Sequence, residues 1–468
     1  MNKKIVFFNP PGKEIFIRDY YCSKISKTGE VYFPLDLIYQ TGYFKKYNYE
    51  ILVIDAIAEK LTDDKAIKKI IDFNPMYIYS VSASVSFNND IRLFSLIKKV
   101  LPDILIFLSA DYGFENQQYI FDNYKEIDGF LLDFTGADLI DYIENPAAKK
   151  YYNNLILKTD RRNILPQKNI TVDFELPLPD HTLFQTKKYQ YPFSRFGYCR
   201  GLLASYGCPY NCSFCIFSYL PYKVRKLDNV LTEIEDIRSL GINELHFDDQ
   251  TFHTKYSYSI QIAEHLIKTK FKGGWVCFLR TDYIDFSALK LFKKSGLHTA
   301  MVGIETANDS SKKSLNKNIS SNVENKFMDM CKEIGIDVCA TFILGLPEET
   351  KQDIYKTIDR AITLNPKYAS FNTAAPKPLT VLKKKAVEQK LIGNNEIHAV
   401  DQNLTDFSLS EQLSSDDIIE LRKIAYKRFY FRLSYIIQKL KDLKSLYLIK
   451  INIKIAFRLF FRFICSKF

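Results

Sequence analysis

The chain has 468 residues, 47% hydrophobic and 25% charged, with Lys+Arg 65 against Asp+Glu 54 and a formal net charge of +11. That length gives room for roughly two to three domains and that composition for a full core, which excludes a chain unable to fold by itself. The positive excess argues for a nucleic-acid partner only where it is localised, and much of it falls toward the carboxyl terminus.

The opening MNKKIVFFNPPG has no apolar signal segment, and nine cysteines show no pairing order. Both point to the reducing cytoplasm. Short apolar runs then alternate with helix-length segments: KIVFF from Lys4, ILVID ending at Asp55, MYIYSV from Met76, ILIFLS ending at Ser109 and GFLLD ending at Asp133. Continuous apolar strands of this kind are buried on both faces, so residues 1–145 are expected to form a doubly wound parallel α/β sheet of Rossmann-like type. Ligands of such sheets bind at the carboxyl ends of the strands, which makes Asn9 to Pro11, Asp55–Ala56, Ser82 to Ser86 and Ser109 to Gly113 the expected rim. Residues 146–200 lack a long periodic run and read as a linker packed across two domains, and His181 within it is given no role.

From Gly201 the alternation resumes six times, in GLLASYG, NELHFDD, GWVCFLR, TAMVGIE, DVCATFILG and YASFNTA. Six β/α units over 201–382 predict a partial (β/α)6 barrel of TIM type, with its chemistry at the strand ends. After the first strand come Cys208, Cys212 and Cys215, spaced C-x-x-x-C-x-x-C. Three thiolates leave one corner of a tetrahedral cluster open, whereas structural zinc and electron-carrying clusters recruit four protein ligands. The competing reading is a zinc knuckle completed by Cys199 in a basic nucleic-acid-binding protein, but zinc sites favour paired C-x-x-C elements and no second pair occurs. Cys22, Cys277, Cys331, Cys339 and Cys465 are scattered and read as small buried hydrophobes.

Polar residues end the later strands. Asp248 and Asp249 follow the second, and because side chains alternate along a strand only one can face the barrel mouth, the other capping the segment before TFHTKYS. Arg280 ends the third and Glu305 the fourth; an arginine fork matches a carboxylate and a glutamate accepts from hydroxyl or amino groups, while a surface ion pair is the bland alternative for each.

The cysteine triplet, the GIE of Gly303 to Glu305 and the run FILGLP occur in an order that resembles the radical S-adenosylmethionine (SAM) superfamily. The resemblance implies a 4Fe-4S cluster on Cys208, Cys212 and Cys215 whose open iron chelates SAM. It implies Phe214 near the adenine, Asp248 or Asp249 receiving the amino group, Arg280 and Glu305 as further SAM contacts with Lys317 close by, and Gly345 and Pro347 where backbone approaches adenine. PKPLT, Pro376 to Thr380, is similar to the family's P-x-P-G-T with Leu379 in place of glycine.

The opening NPPG and the later FPLDL to VIDA resemble the cobalamin-binding domain that precedes the barrel in one branch of the superfamily. There are departures: no D-x-H-x-x-G supplies a histidine to cobalt, and the turns Ser109-Ala110-Asp111-Tyr112-Gly113 and Phe134-Thr135-Gly136-Ala137 replace glycine-rich ones. A cobalamin-type fold that has lost its ligand and covers the barrel is therefore as well supported as retained binding. With cobalamin the implied reaction is C-methylation of an unactivated carbon; without it, a radical cyclisation or rearrangement. The resemblance also implies a small-molecule or lipid-like substrate and an electron donor such as flavodoxin or ferredoxin, with no nucleic acid.

Residues 383–468 are expected to be helical. Leu443 to Phe468 contains no acidic residue, and Lys450, Lys454, Arg458 and Arg462 recur every four residues beside Ile, Leu and Phe. That pattern suits an interfacial helix on anionic lipid, a peripheral membrane contact, and equally a helix docked on its own domain.

Overall fold

The computed structural model of the protein describes residues 3–148, 151–160, 163–166, 168–184, 188–191, 193–395, 397, 407–441, 453, 457 and 458. Two six-stranded sheets organise them. In the first, β1 (Lys4–Asn9), β2 (Glu50–Asp55), β3 (Tyr77–Ser82), β4 (Leu105–Ala110), β5 (Gly129–Leu131) and β6 (Leu155–Leu157) lie in the order β2-β1-β3-β4-β5-β6. All pairs are parallel except β5 with β6. The driving pattern is plain in β1, where Ile5, Val6, Phe7 and Phe8 are all fully buried, as a strand covered by helices on both faces requires. Chain order reverses between β1 and β3, which makes that crevice the topological switch point.

The second sheet holds β7 (Cys199–Leu202), β8 (Glu244–Phe247), β9 (Gly274–Leu279), β10 (Leu297–Glu305), β11 (Asp337–Leu344) and β12 (Tyr368–Thr373), parallel and in chain order. This is the open, partial barrel. Its core side is filled by aromatic packing, with Trp275 against Phe247, Phe252 and Phe292. The helix Ser415–Tyr430, opened by a Ser414–Asp417 capping box, lies along β12. There the Tyr430 hydroxyl accepts from the Ala369 amide at 3.0 Å and donates to its carbonyl at 2.8 Å.

The first barrel strand differs from the expected GLLASYG. It begins at Cys199 and ends at Leu202, and Ser205–Tyr206 instead joins a small sheet with Tyr222–Arg225 and Ile170–Phe174. The chain is turned there by Asp249, which accepts from the Ala204 amide at 3.0 Å and the Ser205 hydroxyl at 2.5 Å, and by Arg225, which donates to the Leu203 carbonyl at 2.8 Å.

The segment read as a linker contributes β6 and Ile170–Phe174 to these sheets and joins the two halves of the molecule. Tyr189 donates to Asp55 at 2.9 Å, and His181, fully buried, stacks on Phe33 and sits 3.1 Å from Glu233. These are structural roles. Among the described residues no helix is long and apolar enough to cross a membrane. The basic terminal stripe lies outside the described residues except for Arg458, whose guanidinium donates to the Thr28 carbonyl at 2.8 Å.

Candidate active site

The carboxyl ends of β8 to β12 surround a cavity of about 320 Å³, roofed by the hairpin Phe16–Ile17/Lys24–Ile25 and the residues within it. The alternation beyond β8 separates the two aspartates. Asp248 lines the cavity; its Oδ1 lies 2.6 Å from His246 Nδ1, and its buried Oδ2 has no partner. Gly201 across the β7–β8 ladder leaves that oxygen its room, since a Cβ there would lie 2.4 Å from it. Asp249 is fully buried, holds Ala204 and Ser205, and is pushed up to about 6 by burial. It therefore anchors the chain after β7 rather than capping the segment before TFHTKYS.

Glu305 ends β10 in a left-handed conformation, φ 66, beside a register shift against β11. Its carboxylate accepts from Lys317 at 2.6 Å at the cavity wall. Gly303 makes this pair possible: a Cβ there would stand 2.0 Å from Glu305 Oε1 and 2.4 Å from Lys317 Nζ. Arg280 is placed differently from the expectation. Its fork engages Asp282 at 3.0 and 2.8 Å, and its guanidinium stacks 3.8 Å from the ring centroid of Tyr210, inside the cysteine loop. It does not line the cavity, so it braces the loop.

The three cysteines occupy that loop, following the short strand Ser205–Tyr206. Gly207 supplies its turn at φ 75, where a Cβ would lie 2.0 Å from the Pro221 carbonyl oxygen. Burial pushes the thiols up, Cys215 to about 12, while Lys168, Arg280, Lys317 and Lys377 pull the other way. Among the described residues no three His, Cys, Asp or Glu side chains are grouped to hold one metal ion. A zinc needs its donors to converge on one point, and Cys199 heads β7 at the far end of the barrel. The donor set on this loop, three thiols with cations about them and no fourth donor among the described residues, is that of an open cluster, with the side chains not converged on one point here.

Phe214 and Cys215 line the cavity together. Gly345 has φ 81, and a Cβ there would meet Ile418 at 2.4 Å, so the close neighbour that demands glycine is the helix Ser415–Tyr430. Pro347 accepts from the Glu411 amide at 2.9 Å and lies off the cavity, as does Gly345. Both support the turn through Glu349, whose carboxylate takes the Gly345 and Leu346 amides at 3.0 and 3.1 Å. Leu379, where the resembled motif has glycine, is in the left-handed conformation, φ 67, with Glu115 of the first domain accepting from its amide.

The carboxyl edge of the first sheet is filled. Arg18, fully buried, enters the switch-point crevice, donating to Asn9 Oδ1 and the Pro10 carbonyl at 2.9 Å and to Asp90 at 2.7 Å. Tyr21 packs on Phe114 and Phe134 and donates to the Leu132 carbonyl at 2.7 Å; Ser23 accepts from the Val85 amide at 3.0 Å. The cavity beside Ser84 and Tyr112 is about 20 Å³, room for about one water. As folded, this edge does not fit a corrin. None of these covering residues stood out in the sequence, because they lie in the short connection between two strands of two residues each, which leaves no periodic signal.

Residues 202–361 match the family model described as the radical SAM superfamily. An uncharacterized methyltransferase of Pyrococcus horikoshii is 25% identical over 408 residues, 85% of this chain and 88% of that protein. Anaerobic magnesium-protoporphyrin IX monomethyl ester cyclase of Rubrivivax gelatinosus is 26% identical over 401 residues, 79% of this chain and 69% of the cyclase. The structure of the radical SAM methyltransferase TsrM from Kitasatospora setae, with cobalamin and a [4Fe-4S] cluster bound, superposes with a TM-score of 0.63 at 14% identity over 82% of this chain and 76% of that one. The family match falls on the barrel and its cysteine loop, and the fold match extends over the domain before them, so residues 202–361 form a radical S-adenosylmethionine superfamily domain, preceded by an amino-terminal domain that shares the fold of TsrM.

Proposed function

We propose that the protein abstracts a hydrogen atom from an unactivated carbon of a small molecule held in the interdomain cavity. The observation that carries this is the cysteine loop reaching, through Cys215, the same cavity as Asp248 Oδ2, which has no partner among the described residues. Cys208, Cys212 and Cys215 would hold a 4Fe-4S cluster, which would supply the one-electron reduction of SAM. Asp248 presents an anionic oxygen for the SAM ammonium, a charge-assisted contact. Glu305, fixed by Lys317, offers a second acceptor, and Phe214 a flat apolar wall. Arg280, through Tyr210, positions the cysteine loop. Gly345 and Pro347 act through the backbone turn that Glu349 holds. The roof from the first domain excludes water from the radical.

C-methylation is the second reading, favoured by the methyltransferase names among the relatives. It requires a methyl carrier, and the filled edge of the first sheet opposes a corrin. Anaerobic reconstitution with and without hydroxocobalamin tests both readings. We expect about four irons with matching sulfide per chain, as a single cubane requires, 5′-deoxyadenosine from SAM on reduction, and no retained corrinoid. One zinc and no deoxyadenosine would overturn the first reading; stoichiometric corrinoid would establish the second. The electron donor is a flavodoxin or ferredoxin in this reading. Peripheral membrane contact rests on the basic stripe alone, and sedimentation of the full chain and of one ending at Asp442 with anionic liposomes decides it.

A further inference from the structure

Two cations in the cavity have no hydrogen-bond or ion-pair partner among the described residues, although Lys377 also acts at a distance on Cys215. Lys24 descends from the roof hairpin of the first domain, and Lys377 rises from the turn after β12 of the barrel. Both line the cavity, and they converge electrostatically on Cys22, for which they are the two neighbouring cations. Lys24 Nζ stands over the Tyr32 ring, 4.7 Å from its centroid. Among the described residues neither ammonium has a carboxylate within ion-pair distance or a hydrogen-bond acceptor.

That is unlike the rest of the barrel. Lys312 and Lys317, its buried lysines, each hold a carboxylate at 2.6 Å, Glu324 and Glu305. The acids near Lys24 and Lys377 are committed elsewhere. Glu30 accepts from Ser26 at 2.6 Å and from Thr28 at 2.8 and 2.6 Å; Asp111 accepts from Ser84 at 2.8 and 2.7 Å. Burial pushes Asp19 well up, toward its neutral form. Both lysines are half-buried, and the acids near Lys24 favour its charged form without pairing with it, so each ammonium keeps donors free for an entering anion.

We infer that the substrate carries an oxyanion, carboxylate or phosphate, held between Lys24 and Lys377. This rests on the cavity being the reaction chamber. Lysine is a point charge without a fork, so the pair selects for charge and leaves the choice of oxyanion to shape. Because one lysine comes from each domain, the anion ties roof to barrel when the substrate is in place. The competing occupant is the carboxylate of SAM itself.

Equilibrium dialysis of the reconstituted full chain separates these. Radiolabelled inorganic phosphate and radiolabelled acetate are the probes, each with and without saturating SAM. We expect saturable binding of at least one anion, undiminished by SAM, weakened about tenfold or more in Lys24→Met and in Lys377→Met, and restored in Lys24→Arg. No saturable binding, or equal binding in the variants, overturns the inference. Displacement of the anion by SAM, with weaker SAM binding in Lys24→Met, overturns it in favour of the SAM carboxylate. Deoxyadenosine formation is measured on the same preparations; its absence in the wild type would defeat the proposed function while the dialysis still reads the anion site.

Discussion

The two sheets invite comparison because both are parallel, helix-covered and directed with their carboxyl ends toward the space between them. At the first sheet that edge is solid: Arg18, Tyr20, Tyr21 and Phe134 fill it, and the charge of Arg18 is paired with Asp90. At the second it is hollow, with one buried Asp248 oxygen that has no partner among the described residues and two lysines lining the space. The same architecture marks both edges as ligand sites. Side chains decide which one is open, and a carboxylate oxygen left without a partner in the hollow marks the one we propose is used.

Several substitutions would sharpen or break that contrast. The largest effect belongs to the hollow edge: Cys212→Ala should lose the broad visible absorbance of the reconstituted cluster and all deoxyadenosine formation, whereas Cys199→Ala should keep both. A full cluster in Cys212→Ala would remove the reason for placing chemistry there. Next comes the solid edge. Arg18→Ala leaves Asp90 buried without its ion pair, a change expected to cost about 3–5 kcal/mol in denaturant unfolding. Unchanged stability would mean the filling is incidental.

The smallest effect distinguishes the aspartates. Asp249→Asn should destabilise by about 1–3 kcal/mol near pH 5 through its disturbed bonds to Ala204 and Ser205, while Asp248→Asn should leave stability intact and weaken SAM binding. Asp249 also has a pH signature. Its folded pKa of about 6 lies above the unfolded value of about 3.9, so the folded state holds the proton longer. Its stabilising contribution is complete below the unfolded value and is lost as pH rises through about 6. Melting curves across that window should fall more steeply for the wild type than for Asp249→Asn; parallel curves would refute the assignment.

Much of this was legible in the sequence. The eleven expected strands correspond to eleven of the twelve in the two sheets, because each is a buried run with a clear apolar pattern, and the cysteine spacing stood out without any fold. What escaped was local partnership. Alternation allowed only one of Asp248 and Asp249 to face the mouth, but choosing between them needed the side-chain partners around β8. Arg280 was expected to offer its fork to a ligand, and Asp282, two residues on, takes it. Gly345 was expected where backbone approaches adenine, and the group that lies against it here is Ile418, over seventy residues away in sequence. Leu379 shows that a left-handed turn can form without a glycine at a strain of about 1–2 kcal/mol, and nothing in the local sequence announces the compensating Glu115. The roof hairpin was invisible because strands of two residues carry no period.

The tyrosines along the helix Ser415–Tyr430 have a consequence for the barrel as an object. A half-closed barrel ends in a bare strand, and bare strands recruit other chains. Here the main-chain groups of Ala369 on β12 are occupied by the Tyr430 hydroxyl. The aperture can thus remain ajar, wide enough to admit a guest, with less risk of its rim becoming a seed for aggregation.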